Sequence, residues 1–224
     1  MLYNTHVIFM KKLINKIELK PLLISVGLVL FQTVFFFLIK LFQSNFHTIG
    51  STIDKNIPFN NLAIIPYCIW YILIFFVPYY LYIKDKNTLC KYIASYFLCV
   101  IISNIIFATY PTMVIRPDIK PNSILNFITW FIYKIDTPAV NCLPSLHCAV
   151  AMLFSLSAFD SKNLSIRYKI VISIFAIIIM LSTLFIKQHV FIDLVIGDIL
   201  MTICYLIMKN NKYILNNIKK LLKI

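Results

Sequence analysis

Six stretches of the chain are apolar over roughly the length needed to cross a bilayer. They cover residues 21–42, 62–83, 89–109, 144–159, 168–186 and 190–208. At about 1.5 Å per residue, about 20 residues cross a hydrocarbon core of about 30 Å. Backbone N–H and C=O groups cannot stay unpaired in that medium, so the runs read as helices and the fold as all-α, a six-span transmembrane bundle. The stretch at 144–159 is short. It needs either a thinned bilayer or a start below the membrane surface, in a pocket lined by protein. Composition agrees: of 224 residues, 61% are hydrophobic and 13% charged, where a soluble domain is about half apolar and a quarter charged. The composition argues against a soluble enzyme and excludes a disordered chain.

Lys and Arg number 21 and Asp and Glu 8, for a net charge of +13. On a soluble chain this balance would point to nucleic acid. Here the basic residues flank apolar runs and orient them, so no nucleic-acid partner is expected. With the N-terminus cytoplasmic, fifteen basic residues fall on the inner side, among them Lys84, Lys86, Lys162, Arg167 and Lys209. The outer side holds six: Lys40, Lys55, Arg116, Lys120, Lys134 and Lys187. The expected organisation is a basic cytoplasmic segment at 1–20, a membrane domain at 21–208 and a basic cytoplasmic tail at 209–224. The run after residue 20 lacks a small-residue cleavage site and reads as a retained span. The six cysteines form no C-x-x-C pair and read as small core residues.

The longest outer segment, 110–143, contains a second apolar stretch at 122–133, too short to span. Asn122 or Ser123 is placed to cap a short helix there. Trp130 and Tyr133 suit an interfacial position, so the segment reads as a lid or lipid-access wall, or as a plain connector.

Three groups of polar residues share the outer face: Arg116-Pro117, Pro144-Ser145-Leu146-His147, and Ser182 through His189 to Asp193. Proline favours the first position of a helix, so the fourth span is expected to begin at Pro144. Its free N–H groups would form an anion site beside Ser145 and His147. His189 and Asp193 are spaced i, i+4, which puts them on one helical face; the carboxylate can hold one imidazole nitrogen and leave the other for attack. Arg116 and Lys187 supply positive charge for phosphate. Taken singly, each feature has a plain structural reading. Together they make a phosphoryl-transfer set that lacks the carboxylates of a two-metal phosphatase. Asp198, nine residues past His189, is rotated away from this set, with Gln32 or Asn104 as the expected partner.

These motifs resemble the type 2 phosphatidic acid phosphatase superfamily, the integral-membrane lipid phosphate phosphatases. The family pattern is K-x6-R-P, P-S-G-H and S-R-x5-H-x3-D. Here it is matched by Arg116-Pro117, by Pro144-Ser145-Leu146-His147, and by Ser182, His189 and Asp193. Thr109, Leu146 and Thr183 stand where the family has lysine, glycine and arginine. The P-S-L-H form is similar to the branch that includes inositol phosphorylceramide synthases. The resemblance implies a cell-membrane phosphatase of lipid phosphates or pyrophosphates, active on the extracytoplasmic face through a phosphohistidine. In this scheme His189 attacks, Asp193 orients it and His147 is acid and base. Arg116, Lys187, Ser145, the N–H of Leu146 and Ser182 hold phosphate, with no metal or cofactor. Headgroup transfer to a lipid acceptor and non-catalytic lipid binding are the alternative functions.

Overall fold

The computed structural model describes residues 18–224, so most of the basic segment expected at 1–20 lies outside the described residues. Among the described residues five helices are long and apolar enough to cross a membrane: α1 (Leu19–Leu41), α3 (Ile64–Lys84), α4 (Lys86–Thr109), α7 (Ile166–Phe185) and α8 (Phe191–Lys209). Their starts follow local chemistry. Asp85 caps α4 by accepting from the Thr88 N–H, and Ser165 caps α7 by accepting from the Tyr168 N–H. Large apolar side chains remain exposed on the outer sides, including Leu30, Val34 and Leu38 of α1 and Ile170, Ile174 and Ile177 of α7. Apolar surface of this extent faces lipid, and the chain is a membrane protein.

The expected fourth span is α6 (Leu146–Asp160), 15 residues long and shorter than the other five. Its surroundings explain the length. Cys148, Ala149, Val150, Ala151, Leu153 and Phe154 have no exposed surface, because α4, α7 and α8 pack around the helix. A helix enclosed by protein need not match the bilayer, and small residues let its neighbours approach closely. Pro144 lies before this helix, not within it. Ser145 is the N-cap, its hydroxyl accepting from the Cys148 N–H at 3.2 Å.

At one end of the bundle the connectors between helices are bound together. β1 (His47–Thr48) pairs in parallel with β2 (Thr112–Met113), in register His47 to Thr112. The Val114 N–H donates to the Ala139 carbonyl and the Asn141 N–H to the Thr112 carbonyl. A short helix, α2 (Thr52–Asn56), lies in the α1–α3 connector. The expected short helix is α5 (Ile124–Ile135), capped by Ser123. Its inner residues Leu125, Ile128 and Ile132 pack on Ile64, Tyr67 and Ile186. Tyr133, expected at the membrane interface, is buried, and its hydroxyl donates to the Ile186 carbonyl.

The opposite end joins the α3–α4 and α6–α7 connectors, where Ser161 donates to Asp85 at 2.6 Å and Asn163 to the Lys84 carbonyl at 3.0 Å. Lys91 and Asp160 form an ion pair there at 2.5 Å. A last amphipathic helix, α9 (Lys212–Leu222), lies against α4 and α8.

Candidate active site

His189 sits in a tight turn between α7 and α8. The Thr183 carbonyl accepts from the N–H groups of both Gln188 and His189, at 3.0 and 3.2 Å. Two residues later α8 begins, with the Asp193 carboxylate folded back onto the Val190 N–H at 3.1 Å. That carboxylate is fully buried, and its Oδ2 also lies 3.2 Å from Nδ1 of His189. His189 therefore precedes α8, yet it still meets Asp193. The ring is 9% exposed and borders a cavity of about 240 Å³.

His147, in the first turn of α6, borders the same cavity, its ring centroid 5.7 Å from that of His189. The Tyr67 hydroxyl reaches Nε2 of His147 at 3.0 Å, and Trp70 packs against the ring at 4.5 Å. The segments carrying the two histidines are joined through backbone: the Ser145 N–H donates to the Asp193 carbonyl at 3.1 Å. Gly197, one turn further along α8, lies directly against Ser145. A side chain at 197 would occupy the space of that backbone.

Arg116 also lines the cavity. It stacks on Tyr133 at 5.0 Å, and its Nη2 is paired with Asp136 at 2.5 Å. Its Nε is buried without a partner among the described residues, as are Nδ2 of Asn141, Nε2 of Gln188 and Nε1 of Trp70. All four residues line this cavity. Buried donors without partners are costly, and four around one space suit an anionic, oxygen-rich ligand. Gln43 holds Asn141 in place, donating to its Oδ1 at 2.6 Å. Away from the histidines the walls are apolar, formed by Val29 and Phe36 of α1 and Ile74 and Phe75 of α3.

The structure thus gathers His147, His189, Asp193, Arg116 and Leu146 at one place. It does not bring Lys187 there. The Lys187 ammonium donates to the carbonyls of Asp54 at 2.9 Å and Ile57 at 2.5 Å, turned toward α2 and absent from the cavity wall. Its backbone at φ 52° belongs to the turn that presents His189. Ser182 is likewise withdrawn: its hydroxyl donates to the Ile179 carbonyl of its own helix at 2.6 Å. Ser145 is buried as a helix cap behind the wall. Asp198 does not line the cavity, but its expected partners are engaged elsewhere, Gln32 with Tyr96 and Asn104 with the Val100 carbonyl.

Several wall residues carried no signal in the motifs. Tyr67, Trp70 and Asp136 come from segments without polar clustering. Gln188 had one available cue, its position directly before His189.

Asp54 completes the support of the His189 turn. Its Oδ1 accepts from the Phe191 N–H at 2.7 Å, at the start of α8, and its Oδ2 accepts from both the N–H and hydroxyl of Ser51. Burial pushes the Asp54 carboxyl up, but these hydrogen bonds outweigh it and hold the group below its ordinary value.

No curated protein and no solved structure matches the chain. A family model described as the PAP2 superfamily matches residues 40–207, which include Arg116, His147, His189 and Asp193, and on that match the chain belongs to this superfamily of membrane phosphatase-type proteins.

Proposed function

We propose that the protein hydrolyses a lipid phosphate or pyrophosphate through a phosphohistidine on His189. The observation that carries this reading is the pairing of His189 and His147 across a cavity with four unpartnered buried donors. With Asp193 holding Nδ1–H, the Nε2 lone pair of His189 attacks phosphorus. The bond from phosphorus to the leaving oxygen breaks, and that oxygen takes a proton from His147. The bound phosphate supplies the negative charge that favours an imidazolium at His147. In the second step water attacks phosphorus, His147 takes its proton, and the N–P bond breaks to restore His189.

Arg116, Asn141 and Gln188 hold the non-reacting oxygens in this scheme, with the Leu146 N–H at the start of α6. The amides of Asn141 and Gln188, beside the retained Arg116, would take the place of the family's absent lysine and arginine. The apolar walls between α1 and α3 fit an alkyl or prenyl tail and lead it to the phosphate end. Phosphatidate, a polyprenyl pyrophosphate and phosphatidylglycerol phosphate are the candidate substrates. An alcohol in place of water would turn the same two steps into headgroup transfer.

The charge count of fifteen against six supports six crossings, α6 included, with both chain ends cytoplasmic. It also supports the proposed division into a membrane domain at 21–208 and a basic tail. The cavity then faces the extracytoplasmic side of the cell membrane. Purified protein assayed on the three lipids, with and without chelator and with an alcohol acceptor, tests the reading. Phosphate release that survives chelator supports it; release from none of them sinks it.

A further inference from the structure

Beside His189, the wall of the cavity contains a thiol that the proposed chemistry does not use. Cys142 is buried, borders the cavity, and its Sγ is within 4.8 Å of ligand atoms of His189 and Asp193. The three potential ligand atoms all lie within that distance of one another. Asp193 adds a second observation. Its Oδ2 serves His189 and Val190, but Oδ1 is fully buried with no partner among the described residues. A carboxylate oxygen without a donor is strongly disfavoured in such a place and points to a cation.

The structure assigns Cys142, His189 and Asp193 as an inhibitory site for a thiophilic divalent cation of the zinc class. Sulfur, imidazole nitrogen and carboxylate oxygen make a usual ligand set for Zn²⁺, with bonds of about 2.0–2.3 Å. Tetrahedral geometry then needs ligand atoms about 3.5 Å apart, so the trio closes by up to about 1.3 Å. The fourth position would be left to water from the cavity that Cys142 and His189 border. Mg²⁺ and Ca²⁺ need more oxygen ligands than the site offers. On binding, the Cys142 thiol loses its proton to solvent, an S–Zn bond forms and zinc sheds water.

Inhibition follows from the imidazole. A metal on Nε2 occupies the attacking lone pair directly. A metal on Nδ1 displaces the hydrogen bond to Asp193 and leaves the remaining proton on Nε2, where no lone pair is left to attack. Either way His189 is silenced. The inhibition rests on the phosphatase reading above, whereas the binding does not.

The test separates the two. Purified full-length protein in detergent is titrated with Co²⁺, a spectroscopic stand-in for zinc. Wild type should develop a thiolate-to-cobalt charge-transfer band, which Cys142→Ala and Cys142→Ser lose and Cys148→Ala keeps. In turnover assays Zn²⁺ should inhibit wild type and chelator should reverse it, with Mg²⁺ without effect. Cys142→Ala should keep its basal rate and need at least about tenfold more Zn²⁺ for half inhibition. A band unchanged in both Cys142 variants, or equal zinc sensitivity in Cys142→Ala and wild type, overturns the site. A cobalt band lost in both Cys142 variants, from a protein without phosphatase activity, upholds the site and sinks the phosphatase reading instead.

Discussion

Gly197→Ala is the substitution whose effect can best be worked from distances. A Cβ at 197 would lie 2.5 Å from the Ser145 carbonyl oxygen, with the Ser145 nitrogen at 3.3 Å and its carbonyl carbon at 3.4 Å. These are backbone atoms and cannot rotate aside. Ordinary contact begins near 3.4 Å, so α8 and the start of α6 must separate by up to about 0.9 Å. That motion stretches the Ser145 to Asp193 backbone bond, 3.1 Å in the native fold, and moves His147 relative to His189. Overpacking of this kind costs about 1–3 kcal/mol in stability. A misplacement near 1 Å in a reacting pair costs about 100-fold in rate. Gly27→Ala is the control, because a Cβ there meets nothing within 4 Å. Melting temperature in detergent and kcat/KM on a lipid phosphate should fall together for Gly197→Ala and stay level for Gly27→Ala. Wild-type melting and turnover by Gly197→Ala would refute the claim that this helix contact sets the distance between the histidines.

Tyr67→Phe removes the hydroxyl 3.0 Å from His147 Nε2. The loss of about 1 kcal/mol should lower kcat about fivefold and shift the pH–rate profile, with KM little changed. Lys187→Met should lower the melting temperature by releasing the carbonyls of Asp54 and Ile57, while KM for substrate stays put; a raised KM with normal melting would return Lys187 to phosphate binding. Asp54 gives a pH test. Its folded pKa lies below the ordinary 3.8, so its stabilisation is complete above that value and is lost as pH falls through the lower, folded one. Asp54→Asn should therefore flatten the acid limb of a stability-against-pH curve, and an unchanged limb would contradict the assignment. Asp198→Asn should keep turnover, because Asp198 stands outside the cavity wall.

Lipid makes the long helices legible in sequence. A chain that must satisfy every backbone group over about 30 Å has to show about 20 apolar residues in a row, and α1, α3, α4, α7 and α8 do so. A cap at Asn122 or Ser123 for a short helix is legible for the same local reason, and Ser123 is the one that caps, its side chain acting three residues ahead. The i, i+4 contact between His189 and Asp193 survives although His189 lies outside the helix, because the folded-back carboxylate spans the same four residues. Long-range contacts are another matter. The partner of Lys187 lies 133 residues away and that of His147 80 residues away, so no local spacing could show that one turns from the cavity and the other toward it. Arg116 was found by its motif, but Asp136, which pairs with it, was not. The helix start at Leu146, two residues later than Pro144 suggests, depends on a serine cap whose backbone is anchored to α8.

The central claim is that His189 carries the phosphoryl group. Brief reaction with a labelled lipid phosphate, rapid acid-free quenching and peptide mapping measures it most directly. The expected result is an adduct on His189 that is labile in acid and stable in base, formed at full yield in the presence of chelator and absent from His189→Ala along with turnover. His147→Ala should still form the adduct from a substrate with a good leaving group, since protonation then matters less. Label on any other residue, or full turnover by His189→Ala, would contradict the account.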